Sequence, residues 1–493
     1  MSGLAGVISL RESKADKGRI KVLLDKISHR GKKRKIYNIC ENYIGINTNY
    51  RSESKVGKNI ILLDGKIYNL DKLLLRYDIK NNNKSIHDIY KIGLLFNKIG
   101  EKIFKEFQGS FALVISDAKH NFYLARDMIG RKPLYYLKSS NLLMFASEVK
   151  ALAGFSRDIQ ELPPGSCMFN FKNPRRIKTV NTDEHFIVES EQLDELENKL
   201  RYYLLKSVDK RISGRNLLFG VWLSGGLDSS IVAALLKEFT SNVYTYSVGF
   251  ENSPDLVSAR EVASYLGTRH TEYKLNVEEL FSNIPDVIHS LESFDAPLVR
   301  SSLGNMIVSK ISSSSDIVFS GEGGDELFAG YNYFLDIDSS KSIQEEIIKA
   351  INALHNTALQ RVDRAANSYG VNVKLPMLDE SLLDFVLKIH PKKKVRKDKN
   401  TGKYILRKVA SKYLPETIAW RGKDKFWEGS GIEDTLEKKI ETIITDREFR
   451  KTRNLPGNLK LRSKEEVYYY KIFKNCYSNI DFSNIISFTQ DFN

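Results

Sequence analysis

Leu223-Ser224-Gly225-Gly226-Leu227-Asp228-Ser229-Ser230 follows an apolar run and opens a helical pattern. The run before it, residues 217–223 (Leu-Leu-Phe-Gly-Val-Trp-Leu), has the almost continuous apolar character of a buried parallel strand. After it, Ile231, Val232, Leu235 and Leu236 fall on one side of a helix spanning 228–239. Gly225 and Gly226 let backbone N–H groups approach an oxyanion with no Cβ in the way. The helix N-terminus adds unpaired donors and partial positive charge, and Ser224, Ser229 and Ser230 add hydroxyls. An acidic residue beside a phosphate repels it unless a cation intervenes, so Asp228 reads as a Mg²⁺ ligand. The segment reads as a loop that grips the pyrophosphate of ATP while the α-phosphate is attacked. No G-x-x-x-x-G-K-[ST] is present, which disfavours a Walker-type NTPase.

A second strand-like run, Asp316-Ile317-Val318-Phe319, leads into Ser320-Gly321-Glu322-Gly323-Gly324-Asp325-Glu326. Carboxylates this close repel one another unless a cation or ligand compensates. Asp325 is the natural partner of Asp228 on Mg²⁺, and Glu322 is left to face substrate or nucleophile.

The pattern along the chain places these two loops. Residues 1–180 are mostly strands, such as Ile60-Ile61-Leu62-Leu63 and 111–115, with helical stretches near 18–29 and 86–107. A polar connector covers 181–190. Beyond it a helix runs to about Arg211, and strands and helices then alternate. The expected order is strand 217–223, helix 228–239, strand 243–250, helix 255–266, strand 271–276, helix 277–291, helix 301–313 and strand 316–319. That is a doubly wound α/β unit, with the 224–230 loop at a strand's carboxyl end, where such sheets bind ligands. From about 340 the pattern is helical, and two domains follow, 1–185 and 190–480.

Composition narrows the function classes. The 493 residues are 42% hydrophobic, enough for ordinary cores. Three scattered cysteines (Cys40, Cys167, Cys476) give neither a metal spacing nor a disulfide framework and fit a reducing cytoplasm. No apolar run is long enough to span a membrane, and the N-terminus lacks a signal pattern. The net charge of +15 raises the question of nucleic acid, but the basic runs 31–35 and 392–397 are not interleaved with aromatics. Solvated faces or steering of anionic substrates are the better reading.

Taken in order, these segments resemble glutamine-dependent asparagine synthetases. The likeness rests on S-G-G-L-D-S-S at 224–230, G-E-G-G-D-E-L-F-A-G-Y at 321–331 and Trp420-Arg421-Gly422-Lys423. It extends to His29-Arg30-Gly31, Phe107-Gln108-Gly109, Ala146-Ser147-Glu148, Leu378-Asp379 and Gly402-Lys403-Tyr404-Ile405-Leu406-Arg407. The resemblance implies an α+β sandwich of the N-terminal-nucleophile, glutaminase-like type, followed by an α/β PP-loop ATP pyrophosphatase (adenine nucleotide alpha hydrolase-like) domain with a helical C-terminal part. It implies that ATP adenylates the aspartate side-chain carboxylate and that ammonia displaces AMP. Carried over by motif, Ser224, Gly225, Gly226, Asp228 and Ser229 hold pyrophosphate, and Asp228 and Asp325 hold Mg²⁺. Leu223, Val248 and Gly323 lie near the nucleotide, Glu322 assists ammonia attack, Lys423 stabilises charge on the α-phosphate, and Arg300 meets the amino-acid substrate. A homodimer is the family's usual state.

The glutaminase motifs depart from the family. Ser2 stands where the family has its nucleophilic cysteine, and a hydroxyl is far less ionised than a thiol. The family's N-G-E is Asp64-Gly65-Lys66, and its H-R-G-P-D is 29–33, His-Arg-Gly-Lys-Lys. Replacing Asn by Asp removes a donor where negative charge develops, and replacing Glu by Lys repels a substrate ammonium. These changes predict a silent glutaminase domain. Nitrogen then comes from free ammonia, from a separate amidotransferase partner, or from an amine on another substrate, as in β-lactam synthetases. Those enzymes carry a tyrosine where this chain has Glu322, which favours the asparagine-synthetase side. A peptide or antibiotic-precursor carboxylate remains an alternative substrate. The basic charge keeps tRNA modification by a PP-loop enzyme as a third class, although such enzymes lack the N-terminal domain and the G-E-G-x-D loop.

Overall fold

The computed structural model describes residues 2–9, 16–80, 87–180, 192–212, 217–422, 429–456, 459–478 and 480–489. The 181–190 connector and Lys423 lie outside them. The chain forms two units, Met1–Val180 with Asn475–Ser487, and Asn181–Lys474 with Phe488–Asn493. Asn475–Ser487, across the end of the 190–480 stretch expected as the second domain, groups with the first unit, where the Asp481 amide donates to the Arg157 carbonyl at 3.0 Å.

In the first unit the strands are β1 (Ser2–Ser9), β2 (Lys33–Ile39), β3 (Asn42–Thr48), β4 (Glu53–Val56), β5 (Asn59–Ile67), β6 (Gly109–Ser116), β7 (Phe122–Arg126), β8 (Tyr135–Lys138), β9 (Leu142–Ala146), β10 (Gln160–Glu161), β11 (Ser166–Phe169) and β12 (Arg175–Arg176). They form two antiparallel sheets, ordered β10-β8-β9-β1-β3-β2 and β12-β11-β7-β6-β5-β4. The helices are α1 (Lys17–Lys26), α2 (Leu70–Arg76), α3 (Asp88–Ile99) and α4 (Val149–Leu152).

Side-chain alternation explains the layers. Leu62, Val114 and Leu124 meet Leu4, Ile44 and Ile46 in one core between the sheets. Their neighbours Ile61, Leu63, Leu113 and Ile115 point the other way and are covered by Leu73, Ile92 and Phe96 of α2 and α3. Burial on both faces is why Ile60-Ile61-Leu62-Leu63 is apolar without alternation. The unit is an α+β sandwich, as expected.

The second unit holds a parallel sheet of β13 (Phe219–Trp222), β14 (Val243–Gly249), β15 (Arg269–Lys274), β16 (Ile317–Phe319) and β17 (Val373–Lys374), ordered β15-β14-β13-β16-β17. The order reverses between β13 and β16, and the two Gly-rich loops leave the carboxyl ends of those two strands. Such a switch point opens a crevice. The unit's helices include α5 (Leu193–Asp209), α6 (Leu227–Lys237), α7 (Pro254–Leu266), α8 (Val277–Ser282), α9 (Ile284–Leu291), α10 (Ala296–Ile311), α11 (Gly324–Phe328), α12 (Ser340–Ala353), α13 (Ala358–Ser368), α14 (Glu380–Lys388) and α15 (Tyr404–Ala410).

Three expectations change. The helix expected over 277–291 is two, α8 and α9, because Pro285 near the start of α9 cannot donate to the preceding turn. The helix expected from 301 begins at Ala296, capped by Asp295, whose carboxylate accepts from the Leu298 amide at 3.2 Å. Finally, β17 adds a short strand inside the part expected to be helical.

Candidate active site

The crevice is a cavity of about 200 Å³ lined by both Gly-rich loops. Leu223, Ser224, Gly226, Asp228 and Ser229 line it from the first loop, and Val248 lines it from the end of β14. Ser320, Glu322 and Asp325 line it from the second.

The first loop is tied into shape by its own hydroxyls. The Ser224 amide donates to Ser229 Oγ at 3.2 Å, the Gly226 amide donates to Ser224 Oγ at 3.3 Å, and Ser229 Oγ donates to the Gly226 carbonyl at 3.1 Å. The two glycines do different work. Gly225 has φ +71°, and a Cβ there would lie 2.4 Å from the Ala259 amide of α7, so it serves the turn and its packing. Gly225 is not among the residues that line the cavity. Gly226 meets only Ser224 Oγ and leaves its side open, followed directly by the first turn of α6. Of the two glycines, Gly226 lines the cavity, and its amide is already engaged by Ser224 Oγ.

Asp228 and Asp325 converge on one ammonium. Lys403 Nζ is ion-paired to Asp228 and stands 2.7 Å from Asp325 Oδ1. Glycine makes this approach possible. A Cβ on Gly324 would fall 2.4 Å from Asp228 Cγ, and one on Gly330 would fall 2.0 Å from Lys403 Cε. Lys403 also holds φ +55°, an uncommon conformation for a lysine, immediately before α15. Arg407 fixes that stretch by donating to the carbonyls of Gly402 at 2.9 Å, Ala419 at 2.9 Å and Arg421 at 2.8 Å. Strain held by surrounding structure is typical of functional positions. Lys403 stands in the 402–407 stretch quoted from the sequence but takes no role from it, because it lies 175 residues from Asp228.

Glu322 lines the cavity in an ion pair with Arg361 of α13. Gly323 does not line it: it turns at φ +92°, and a Cβ there would strike Leu378 at 2.2 Å, so it packs the loop against the chain behind. Burial, and then the neighbouring charge of Asp325, push the Glu326 carboxyl up to about 7. The Tyr331 hydroxyl donates to it at 2.6 Å and is itself raised by burial and by Glu326. Arg421 donates to Asp255 at 3.0 Å, and both line the cavity. Lys423, expected at the α-phosphate, lies outside the described residues, while Gly422 lines the cavity wall.

Arg300 is not brought to the cavity. Its guanidinium is buried, with Nε 2.9 Å from Glu465 Oε2 and a further ion pair to Glu433. Burial alone would lower it, but the two glutamates hold it firmly protonated.

In the first unit Ser2 is buried, and its hydroxyl pairs with Thr48 Oγ1 at 2.9 Å. The Ser2 backbone nitrogen donates to Asp64 Oδ1 at 3.0 Å. Arg30, fully buried, binds Asp64 Oδ2 at 3.1 Å, Glu148 Oε1 at 2.6 Å and the Ser2 carbonyl at 3.0 Å. His29 and Lys150 complete the set on Glu148.

Comparison with known proteins agrees with this architecture. The asparagine synthase family profile matches residues 199–342 and 335–481, and a glutamine amidotransferase domain profile matches 51–154. Asparagine synthetase B [glutamine-hydrolyzing] of Escherichia coli is 32% identical over 443 residues, covering 85% of this chain and 79% of the relative. A probable asparagine synthetase of Dictyostelium discoideum is 31% identical over 454 residues, covering 85% and 81%. Asparagine synthetase 2 of Arabidopsis thaliana is 33% identical over 445 residues, covering 84% and 75%.

Proposed function

The chain belongs to the asparagine synthase family, a family of ATP-dependent carbon–nitrogen ligases, and from that premise we propose that it adenylates the side-chain carboxylate of aspartate and forms the amide from ammonia. The observation that carries the proposal is the convergence of Asp228, Asp325 and Lys403 in the cavity that Ser224, Gly226 and Ser229 also line, at the switch point of the sheet.

A triphosphate entering beside Ser224, Gly226 and Ser229 meets backbone and hydroxyl donors and the N-terminus of α6. Among the described residues, the cavity lining holds five carboxylates (Asp228, Asp255, Glu322, Asp325 and Glu326) and four cationic side chains (Arg361, Lys403, Arg407 and Arg421). The polyanion therefore needs a further cation. Asp228 and Asp325, which already share one cation, would hold Mg²⁺, which takes one or two carboxylates and completes its shell with phosphate and water. Mg²⁺ would supply charge neutralisation on the phosphates. Lys403, and Lys423 by its family position, add fixed positive charge where it develops in the transition state.

The carboxylate oxygen attacks the α-phosphorus and pyrophosphate leaves. Ammonia then attacks the acyl carbon, AMP departs, and the nitrogen loses one proton, for which Glu322 is the acceptor facing the cavity. Leu223 and Val248 supply apolar surface for the base. The same adenylation on another carboxylate is the second reading. It is favoured by the sequestration of Arg300, the arginine expected at the amino-acid substrate.

Glutamine hydrolysis is proposed to be silent. The Ser2 hydroxyl is paired with another hydroxyl rather than a base. If Met1 is removed, the freed amine sits against Asp64, which stabilises its protonated, non-basic form. Arg30 already occupies the other oxygen of Asp64. Free ammonia or a partner amidotransferase then supplies nitrogen.

ATP–pyrophosphate exchange that depends on aspartate, with asparagine formed from ammonium and not from glutamine, is the expected result. Exchange driven only by some other carboxylate would transfer the assignment to the second reading. Asparagine from glutamine at rates matching ammonium would remove the silent-glutaminase reading.

A further inference from the structure

Arg361 is 9% exposed, lines the cavity from α13 and, among the described residues, has Glu322 as its only side-chain partner. A guanidinium carries five donors in a planar fork. Here one of its terminal nitrogens, Nη2, is engaged, and Nη1 makes no bond to any described residue. An almost buried cation with donors left over is costly unless something arrives to accept from them. The same wall is completed by Ala358, one turn before Arg361, and by Asn305 and Val308 of α10. These residues come from α10 and α13, whereas the hydroxyl-rich loop at 224–229 lines the same cavity from the end of β13.

We propose that Arg361 anchors a second carboxylate of the acyl substrate, the one that is not adenylated, so that the site selects dicarboxylates. The inference rests on the adenylation reading above and names the residue that reads the substrate. Arg300 cannot take this part without breaking ion pairs to both Glu433 and Glu465, whereas Arg361 needs only to use donors it has not committed. Guanidinium–carboxylate pairing is frequently bidentate, which sets orientation as well as affinity. With one end of the substrate fixed there, Glu322 on the same guanidinium is held beside the reacting end. Arg361 thus binds and positions at once.

The test uses the full chain in ATP–pyrophosphate exchange, with aspartate and with β-alanine, which is aspartate without its α-carboxylate. The wild-type chain should prefer aspartate. Arg361→Gln should raise the KM for aspartate at least ~10-fold and abolish the preference, while the KM for ATP stays within about 2-fold, as expected for loss of a specific substrate contact. The unchanged KM for ATP reports that the variant is folded. Arg361→Lys, which keeps the charge and loses the fork, should also lose most of the preference. A fall in kcat with the aspartate KM unchanged would overturn the inference in favour of Arg361 merely positioning Glu322. A rise in the ATP KM instead would overturn it in favour of a phosphate contact. If the wild-type chain exchanges pyrophosphate with no carboxylate, the adenylation reading itself falls. If it exchanges equally well with aspartate and β-alanine, only the role of Arg361 falls.

Discussion

Two charge clusters dominate this protein, and they are opposite in kind. In the first unit, Arg30 and Asp64 are sealed from solvent and Arg30 also binds Glu148, so the charges satisfy one another. In the second, Asp228, Asp325, Lys403, Glu322 and Arg361 pair across the wall of an open cavity. A closed ion network resists loss of a member because the remaining charge is stranded in low dielectric. A cluster facing a cavity can exchange partners with an incoming ligand. The same residue types thus build a sealed clamp in one unit and a cluster open to a ligand in the other, and access is what separates them.

The comparison can be broken by substitution. The largest effect should come from Asp228→Ala or Asp325→Ala, each lowering ATP–pyrophosphate exchange on the order of 10³-fold with little change in melting temperature. A large loss of stability with normal exchange would show that this cluster, too, is a clamp. Next, Arg30→Met should destabilise the first unit by about 3–5 kcal/mol, read by denaturant unfolding, because Asp64 and Glu148 are left buried. A change near zero would mean that the network contributes nothing to folding.

Lys394 sharpens the contrast, since it is fully buried and its ammonium has no hydrogen-bond partner among the described residues. Burial lowers its pKa from 10.5 to about 7. Between those values the unfolded chain holds a proton that the folded side chain has lost, so stability should rise with pH from about 7 to 10.5. Lys394→Met should then stabilise the protein by ~1–3 kcal/mol at pH 7, and by less at pH 10. Equal gains at both pH values would contradict this account. Smallest of all, Ser2→Ala should leave glutamine hydrolysis at background and cost about 1 kcal/mol for the lost pair with Thr48. A measurable fall in glutaminase rate would restore Ser2 as a nucleophile.

Much of the candidate site could be read along the chain because its parts are local. The strand, loop and helix around Ser224–Ser230 announce themselves by an apolar run, two glycines and a change of period. Gly321–Tyr331 does so by glycines set among carboxylates. Lys403, Arg361 and Arg407 could not be read in that way. Each is one cation among 76 lysines and arginines, and nothing in its neighbours says which carboxylate it will meet. Arg300 misled for the same reason, since the chain does not reveal that Glu433 and Glu465 claim it. The break at Pro285 was visible in the residues, yet apolar spacing continues across it. β17 was hidden because two paired residues are too few to set a period.

The sequence alone determined the two-part layout, the parallel sheet with its Gly-rich loop at a strand's carboxyl end, and, against the family's motifs, the departure of Ser2, Asp64 and Lys66. The first two follow from local periodicity and residue chemistry and the third from motif resemblance, none of which needs knowledge of distant contacts. Only the tertiary structure decided that Asp228 and Asp325 share Lys403, that Gly225 serves packing while Gly226 lines the cavity, and that Arg361 rather than Arg300 faces the cavity. Pairing between charges far apart in sequence depends on where the backbone carries them, and burial then decides which pairs are locked and which stay available to a ligand.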